Sequence, residues 1–84
     1  MQGKLLITGG TGSFGHAVLK RFLNSDLAEI RIFSRDEKKQ DDMRKRFASS
    51  AGSEKLKFYI GDVRDAQSVL GVMRGVDYVF HAAA

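Results

Sequence analysis

The sequence predicts an α/β fold in which crossover helices cover a parallel β-sheet. Three observations support this: short apolar runs alternate with helical patterns three times, a fourth apolar run follows, and a glycine-rich turn joins the first strand to the first helix. Crossovers between parallel strands are right-handed, so the strands are expected in the spatial order 3-2-1-4.

The first strand is predicted at residues 4–8 and the first helix at 15–24. The run Leu-Leu-Ile inside 4–8 is typical of a strand that is buried on both faces. The helix is predicted from apolar residues at helical spacing around and after the last glycine of the turn. These residues are Phe14, Val18, Leu19, Phe22 and Leu23.

The second strand is predicted at 29–33, followed by a helix from about 36 to 49. In this helix only Met43 and Phe47 lie on the apolar side. Most of its surface is therefore expected to face solvent.

The third strand is predicted at 56–60 and the fourth at 76–81. Between them, Asp65 is a suitable N-cap for a third helix and Gly75 a suitable stop. The apolar positions predicted for this helix are Val69, Leu70 and Met73.

The turn after the first strand has the sequence TGGTGSFG, with glycines at three-residue spacing. Gly9 permits a tight turn, Gly12 lets the backbone approach a pyrophosphate, and Gly15 lets the helix pack closely on the strand. The unpaired N–H groups and positive dipole end of the helix would face the phosphates. The motif therefore predicts dinucleotide binding. The predicted fold is the first four strands of a Rossmann-type sheet with three crossover helices, which is an incomplete fold. A glycine turn used for packing alone is the alternative.

Composition narrows the class of protein. The 84 residues contain no Cys and only two His, which argues against disulfides and against a metal site. No apolar run approaches the roughly 20 residues that span a bilayer, and the N-terminus lacks a signal-peptide layout. We expect one small cytoplasmic unit without a membrane span.

The net charge of +4 is concentrated in residues 31–46, which hold seven basic and four acidic side chains. Three pairs at i,i+4 spacing predict a solvated helix face of mixed sign. The pairs are Lys38 with Asp42, Asp41 with Lys45, and Asp42 with Arg46. Aromatic residues that could stack bases do not interleave with these charges, so nucleic-acid binding is not expected.

The end of the second strand is where such folds recognise the adenosine ribose. An acidic residue there would bind a 2′-hydroxyl, but the chain has Ser34 and then Arg35, which suit a 2′-phosphate. NADP is therefore predicted over NAD, with Lys38 and Lys39 adding positive charge. Asp36 is interpreted as the N-cap of the second helix. A purely surface role for Arg35 is the alternative.

The ends of the third and fourth strands supply further candidates. Asp62 can accept a hydrogen bond from the adenine amine and Val63 can pack on the ring, although Asp62 could instead serve the turn. His81 is interpreted as a packing residue that ends a buried strand, with acid–base catalysis as the less favoured reading. The small residues after it would let a cofactor lie close to the sheet edge.

The segments TGGTGSFG, IFSRDEKKQ, FYIGDVRD and VDYVFHAAA together resemble the extended short-chain dehydrogenase/reductase superfamily, and within it the polysaccharide-biosynthesis branch. The resemblance covers all 84 residues. It implies that the pyrophosphate is contacted by Gly9, Thr11, Gly12, Ser13, Phe14 and Gly15, and the ribose phosphate by Ser34, Arg35 and Lys39. It also implies that Asp62 and Val63 contact the adenine, and that Ala82 and Ala83 lie near the ribose and nicotinamide.

This branch contains UDP-N-acetylglucosamine 4,6-dehydratases, including the 5-inverting kind, and UDP-sugar 4-epimerases. The resemblance implies that residues 1–84 are the N-terminal part of an NADP-binding domain, with the catalytic lysine and the sugar-binding region beyond Ala84. The leading expectation is therefore that this chain is the cofactor-binding part of a dehydratase. The full-length enzyme is expected to form homo-oligomers, and this chain alone is expected to be inactive. The alternatives are a 4-epimerase of the same branch, a stand-alone NADP-binding regulatory module, and an α/β domain that binds no nucleotide.

Overall fold

A four-stranded parallel sheet forms the centre of the structure, a computed structural model that describes residues 2–9 and 11–82. The strands are β1 (Lys4–Thr8), β2 (Glu29–Ser34), β3 (Leu56–Ile60) and β4 (Tyr78–His81). They lie in the order β3-β2-β1-β4, which confirms the predicted Rossmann-type order. Since β1 pairs with β2 on one side and β4 on the other, the direction of strand addition reverses at β1.

Three helices connect the strands, together with a short 3-10 turn at Ser53–Lys55. The helices are α1 (Ser13–Phe22), α2 (Glu37–Phe47) and α3 (Ala66–Met73). Two predicted caps are confirmed: Asp36 accepts a hydrogen bond from the N–H of Lys39 at 3.0 Å, and Asp65 accepts one from Gln67. Two elements differ from their predicted bounds by about two residues. The helix α1 begins and ends earlier than predicted, and the strand β4 begins later.

One face of the sheet carries α1 and α2 and the larger of the two core clusters. Alternate residues of β1 and β2 point into it, since side chains on a strand alternate between the faces. The buried members of this cluster are Leu5, Ile7, Val18, Leu19, Leu23, Leu27, Ile30, Ile32, Met43 and Phe47. Met43 and Phe47 therefore form the apolar side of α2, as predicted.

The opposite face carries α3, which packs on Leu6 and Phe33 through Val72. Here the predicted apolar positions of the helix are partly wrong. Val69 contacts this cluster, but Leu70 is 71% exposed and Met73 39% exposed. Val69 and Val72, three residues apart, share the side that faces the sheet, so Leu70 is turned away from it.

Two further burial predictions are wrong. Phe14, placed in the apolar stripe of the predicted first helix, is 56% exposed in the first turn of α1. The predicted burial of β4 also fails, since Tyr78 and Val79 are 39% and 46% exposed. In the described part of the chain β4 is an edge strand with a single neighbour, β1.

The solvated face of α2 forms most of the predicted ion pairs. Lys38 lies 3.3 Å from Asp42, and Lys45 lies 2.9 Å from Asp41. Arg46, which was predicted to pair with Asp42, instead places its guanidinium over the ring of Phe47. These exposed pairs contribute little to stability. No helix among the described residues has the length and apolarity needed to cross a membrane.

Arg31 is a buried cation on the α3 face of the sheet, with 9% exposure. Its Nη1 donates to the carbonyls of Val72 and Arg74 at 2.8 and 2.7 Å, and its Nε donates to Glu29. These carbonyls lie at the end of α3, where helical backbone acceptors lack intrahelical partners and the dipole favours positive charge. Arg31 therefore fixes the end of α3 against the sheet.

We expect Arg31→Met to lower the free energy of unfolding by about 2–4 kcal/mol, because it leaves buried carbonyls and the Glu29 carboxylate without their donor. Urea denaturation followed by circular dichroism measures this change. The matched control is Lys57→Met, since Lys57 is paired with Arg31 in the sheet register and is exposed. Equal stability of the two variants would contradict the capping role.

Candidate functional site

The carboxyl ends of the four strands lie along one edge of the sheet, and the segments that follow them are tied together there. Each of three residues just past a strand donates its backbone N–H to the neighbouring strand: Gly9 to Phe33 (2.8 Å), Gly61 to Ser34 (2.9 Å) and Ala82 to Thr8 (2.8 Å). In open α/β sheets, ligands bind at this edge where the strand order reverses. The reversal point here is β1, which leads into the glycine turn.

Gly9 and Gly12 have different roles in that turn. Gly9 has φ +65, a left-handed conformation that favours glycine. Gly12, the N-cap of α1, has an ordinary φ of −81, and a Cβ added to it would meet only the Gly9 carbonyl, at 3.9 Å. The fold of the described residues therefore does not require glycine at position 12. Its missing side chain leaves open space at the start of α1.

The first turn of α1 is available to an anion. No side chain caps this helix end within the described residues, so its first N–H groups face the space beside Gly12. Thr11 and Ser13 flank that space, and Phe14 is exposed there rather than packed. Gly15 is buried, which agrees with the predicted close packing of α1 on the sheet.

A cavity of about 320 Å³ opens between the ends of β2 and β3. It is lined by Gly9, Phe33, Ser34, Arg35, Gly61, Asp62, Val63 and Arg64. Gly61 is required for packing, because a Cβ there would lie 2.7 Å from Cζ of Phe33. Val63, predicted to pack on adenine, contributes an apolar wall and is 43% exposed.

The carboxylate of Asp62 forms hydrogen bonds and an ion pair at the rim of this cavity. It accepts hydrogen bonds from the backbone N–H of Arg64 at 2.9 Å and from Nη2 of the same residue at 2.7 Å, and Arg35 Nη1 lies 3.7 Å away. The Arg64 hydrogen bonds lower the pKa of Asp62 from 3.8 to about 2. Asp62 therefore serves the turn with Arg64, which was one of the two roles weighed for it, and this turn lines the cavity.

A second, wider groove of about 640 Å³ adjoins the first along Ser34 and Arg35. Its remaining lining residues are Thr11, Asp36, Glu37 and Lys39. Arg35 has 68% of its side chain exposed and lies at the boundary of both spaces. The structure therefore brings the predicted ribose residues Ser34, Arg35 and Lys39 together beside Thr11 of the glycine turn.

Two residues at the site were not anticipated from the sequence. Arg64 lines the first cavity and holds Asp62, but nothing in its spacing distinguishes it from a surface arginine. Gln40 is 2% exposed and donates to Ser34 Oγ at 3.0 Å and to the Tyr59 carbonyl at 2.7 Å. The available signal was a polar residue one turn before Met43 and two turns before Phe47, on the same side of α2.

The end of β4 differs from its prediction. His81 is exposed rather than packed, and its Nδ1 lies 2.5 Å from Thr8 Oγ1 at the end of β1. The pair ties the last residues of the two strands together at the reversal point. Ala82 is partly buried and packs against the larger core cluster. Ala83, also predicted at the cofactor, lies outside the described residues.

The sequence of this chain is similar to one protein family and to several named relatives. The family described as polysaccharide biosynthesis protein matches residues 5–84. UDP-glucose 4-epimerase of Rickettsia prowazekii (strain Madrid E) is 68% identical over 95% of this chain and 24% of its own length. The proteins of the same name from Rickettsia akari (strain Hartford) and Rickettsia typhi (strain ATCC VR-144 / Wilmington) are 67% and 68% identical. The chain spans about a quarter of the length of these relatives.

Two solved structures share the fold. Pen from Bacillus thuringiensis aligns with a TM-score of 0.90 and 35% identity, over 98% of this chain and 25% of that one. A ketoreductase from the first module of phoslactomycin biosynthesis in Streptomyces sp. HK803 aligns with a TM-score of 0.76 and 26% identity, over 98% and 21%. The agreement covers the sheet order and the three helices, so the predicted superfamily resemblance is confirmed.

We expect Arg64→Gln to raise the pKa of Asp62 from about 2 back toward 3.8, since the Arg64 hydrogen bonds are the largest cause of its depression. NMR titration of the carboxyl carbons measures the value, and Arg44→Gln, which affects the exposed Asp41 instead, is the control. A depressed folded-state pKa stabilises the fold above pH 3.8, and this contribution disappears as the pH falls through about 2. An Asp62 pKa unaffected by Arg64→Gln would contradict the assignment.

Proposed function

The chain belongs to the polysaccharide biosynthesis protein family, and from this we propose that its glycine turn and adjoining cavities bind a nicotinamide dinucleotide. The observation that carries the proposal is Gly12, where the described residues leave room for a side chain and the chain has none. The uncapped start of α1 faces the same space. Backbone N–H groups and the helix dipole at such a position favour a pyrophosphate.

The remaining residues fit the other parts of the cofactor. The 320 Å³ cavity has the size and mixed lining of a small-ligand site, and we assign it to adenine. Val63 would cover one side of the ring, and Asp62 would accept from its exocyclic amine. Arg64, with a smaller effect from Arg35, lowers the pKa of Asp62 to about 2, so the carboxylate is ionised at neutral pH and can act only as an acceptor.

We assign the wider groove to the adenosine ribose and favour NADP over NAD. Ser34, Arg35 and Lys39 line it with hydrogen-bond donors that match a 2′-phosphate, and the two cations lie beside the carboxylates of Asp36 and Glu37. The Asp36 carboxylate is engaged as the N-cap of α2, where it accepts from the Lys39 N–H. On the far side of the reversal point, Ala82 would leave room for the ribose and nicotinamide.

For the protein to which these residues belong, we propose a nucleotide-sugar 4-epimerase that acts on a UDP-sugar. The support is the shared name of relatives that are 66–68% identical, together with the family match. The bound nicotinamide would accept hydride from C4 of the sugar and return it to the opposite face. Residues 1–84 would be the N-terminal part of the cofactor domain, with the sugar-binding and catalytic groups elsewhere in a cytoplasmic homo-oligomer. The 4,6-dehydratase expected from the sequence resemblance remains the alternative within the same family.

We expect Gly12→Ala to weaken NADPH binding by roughly tenfold or more, because a methyl group would occupy the space assigned to the pyrophosphate. Its stability should fall by about 1 kcal/mol or less, since the backbone at position 12 is ordinary and a Cβ there makes no clash. Fluorescence titration with NADPH and thermal unfolding measure the two effects. Gly71→Ala on α3, where a Cβ likewise makes no clash and meets nothing within 4 Å, is the matched control and should bind normally, as distinct from Gly12, whose Cβ would meet only the Gly9 carbonyl at 3.9 Å. Unchanged affinity in Gly12→Ala would refute the pyrophosphate assignment.

The reaction is tested on the full-length protein with UDP-glucose and, separately, with UDP-N-acetylglucosamine. An epimerase is expected to convert the first into its C4 epimer without change of mass, detected by NMR of the anomeric protons. Loss of water from the second, seen as a mass change, would instead establish the dehydratase. Turnover of neither sugar would contradict both assignments.

A further inference from the structure

Gln40 lies beneath the groove assigned to the ribose, on the inner side of α2, and joins three elements of the fold. Its Nε2 donates to Oγ of Ser34 at 3.0 Å and to the Tyr59 carbonyl at 2.7 Å, and the Ser34 carbonyl lies 3.4 Å away. The side chain is 2% exposed, so water does not compete for these hydrogen bonds.

The Tyr59 carbonyl determines which end of the Gln40 amide faces Ser34. A carbonyl oxygen only accepts hydrogen bonds, so the Gln40 atom 2.7 Å from it must be the nitrogen of the amide. One amide hydrogen is used there, and the other points to Oγ of Ser34. The Ser34 hydroxyl is therefore an acceptor on its inner side.

An accepted hydrogen bond leaves the proton of the Ser34 hydroxyl to be donated elsewhere. None of residues 2–9 and 11–82 accepts a hydrogen bond from the Ser34 hydroxyl. Ser34 borders the groove that Thr11, Arg35 and Lys39 also line. A ribose 2′-hydroxyl can donate or accept, whereas the oxygens of an ionised 2′-phosphate mainly accept. A hydroxyl fixed as a donor thus favours the phosphate.

We propose that Gln40 is a specificity-determining positioning residue, which orients the Ser34 hydroxyl as a donor to the 2′-phosphate of the dinucleotide. The inference rests on the proposed cofactor site and adds to it a residue that does not itself touch the ligand. Gln40 acts through Ser34, so removing either side chain should cost the same interaction.

The test compares adenosine 2′,5′-bisphosphate with adenosine 5′-monophosphate, two probes that differ only in the 2′-phosphate, by calorimetry on the full-length protein. The variants are Gln40→Met, which keeps the volume and removes the donors, Ser34→Ala, and the double variant. Each single variant should reduce affinity for the bisphosphate roughly tenfold to a hundredfold, the loss of one hydrogen bond to a charged group. Affinity for the monophosphate should be unchanged, and the double variant should lose no more than either single one.

The outcomes separate this inference from the proposed cofactor site. Equal binding of both probes by the unaltered protein would overturn the 2′-phosphate assignment and this inference with it. A wild-type preference for the bisphosphate that persists in Gln40→Met, or a double variant with additive losses, would overturn the role of Gln40 alone. Parallel loss of both probes in Gln40→Met would show a merely structural residue. If Gln40→Met does not fold, Ser34→Ala decides: retention of the preference contradicts the proposal.

Discussion

The pairing of β1 with β2 is the constraint on which the candidate site depends. Its register sets Thr8 beside Phe33, so the next residue, Gly9, donates its N–H to the Phe33 carbonyl. This hydrogen bond places the start of the glycine turn beside Ser34 and Arg35. A slip of one residue would reverse the faces of β1 and separate the turn from both of them. The position of the start of α1, the end proposed to bind the phosphates, therefore follows from backbone geometry.

Two buried polar side chains fasten helices to opposite faces of this sheet. Arg31 holds the carbonyl end of α3, and Gln40 joins α2 to the ends of β2 and β3. Buried polar groups are costly unless they are hydrogen-bonded, and every buried side-chain nitrogen and oxygen of the described residues has at least one partner. Arg31 lies away from the two cavities at the site, whereas Gln40 donates a hydrogen bond to Ser34, which lines both of them.

The local signals in the sequence predicted the strands, the helix caps and the glycine turn, because each depends on neighbouring residues. Asp36 and Asp65 cap their helices, and Gly9 adopts the left-handed conformation that the turn requires. The errors at Phe14, Leu70 and His81 all concern exposure, which neighbouring residues in the sequence do not determine. Phe14 lies in the first turn of α1, Leu70 lies on the side of α3 turned away from the sheet, and His81 ends an edge strand. The roles of Arg31 and Gln40 depend on partners distant in sequence, Val72 and Tyr59, which no local pattern could identify.

The central claim is that the start of α1 binds the phosphates of a dinucleotide. Titration of the ¹⁵N-labelled protein with NADP⁺, followed by amide chemical shifts, tests it most directly. The account predicts that the largest changes occur at the amides of Gly12, Ser13 and Phe14, with further changes at Arg35 and Val63. Changes confined to α3 and β4, with those amides unaffected, would contradict it.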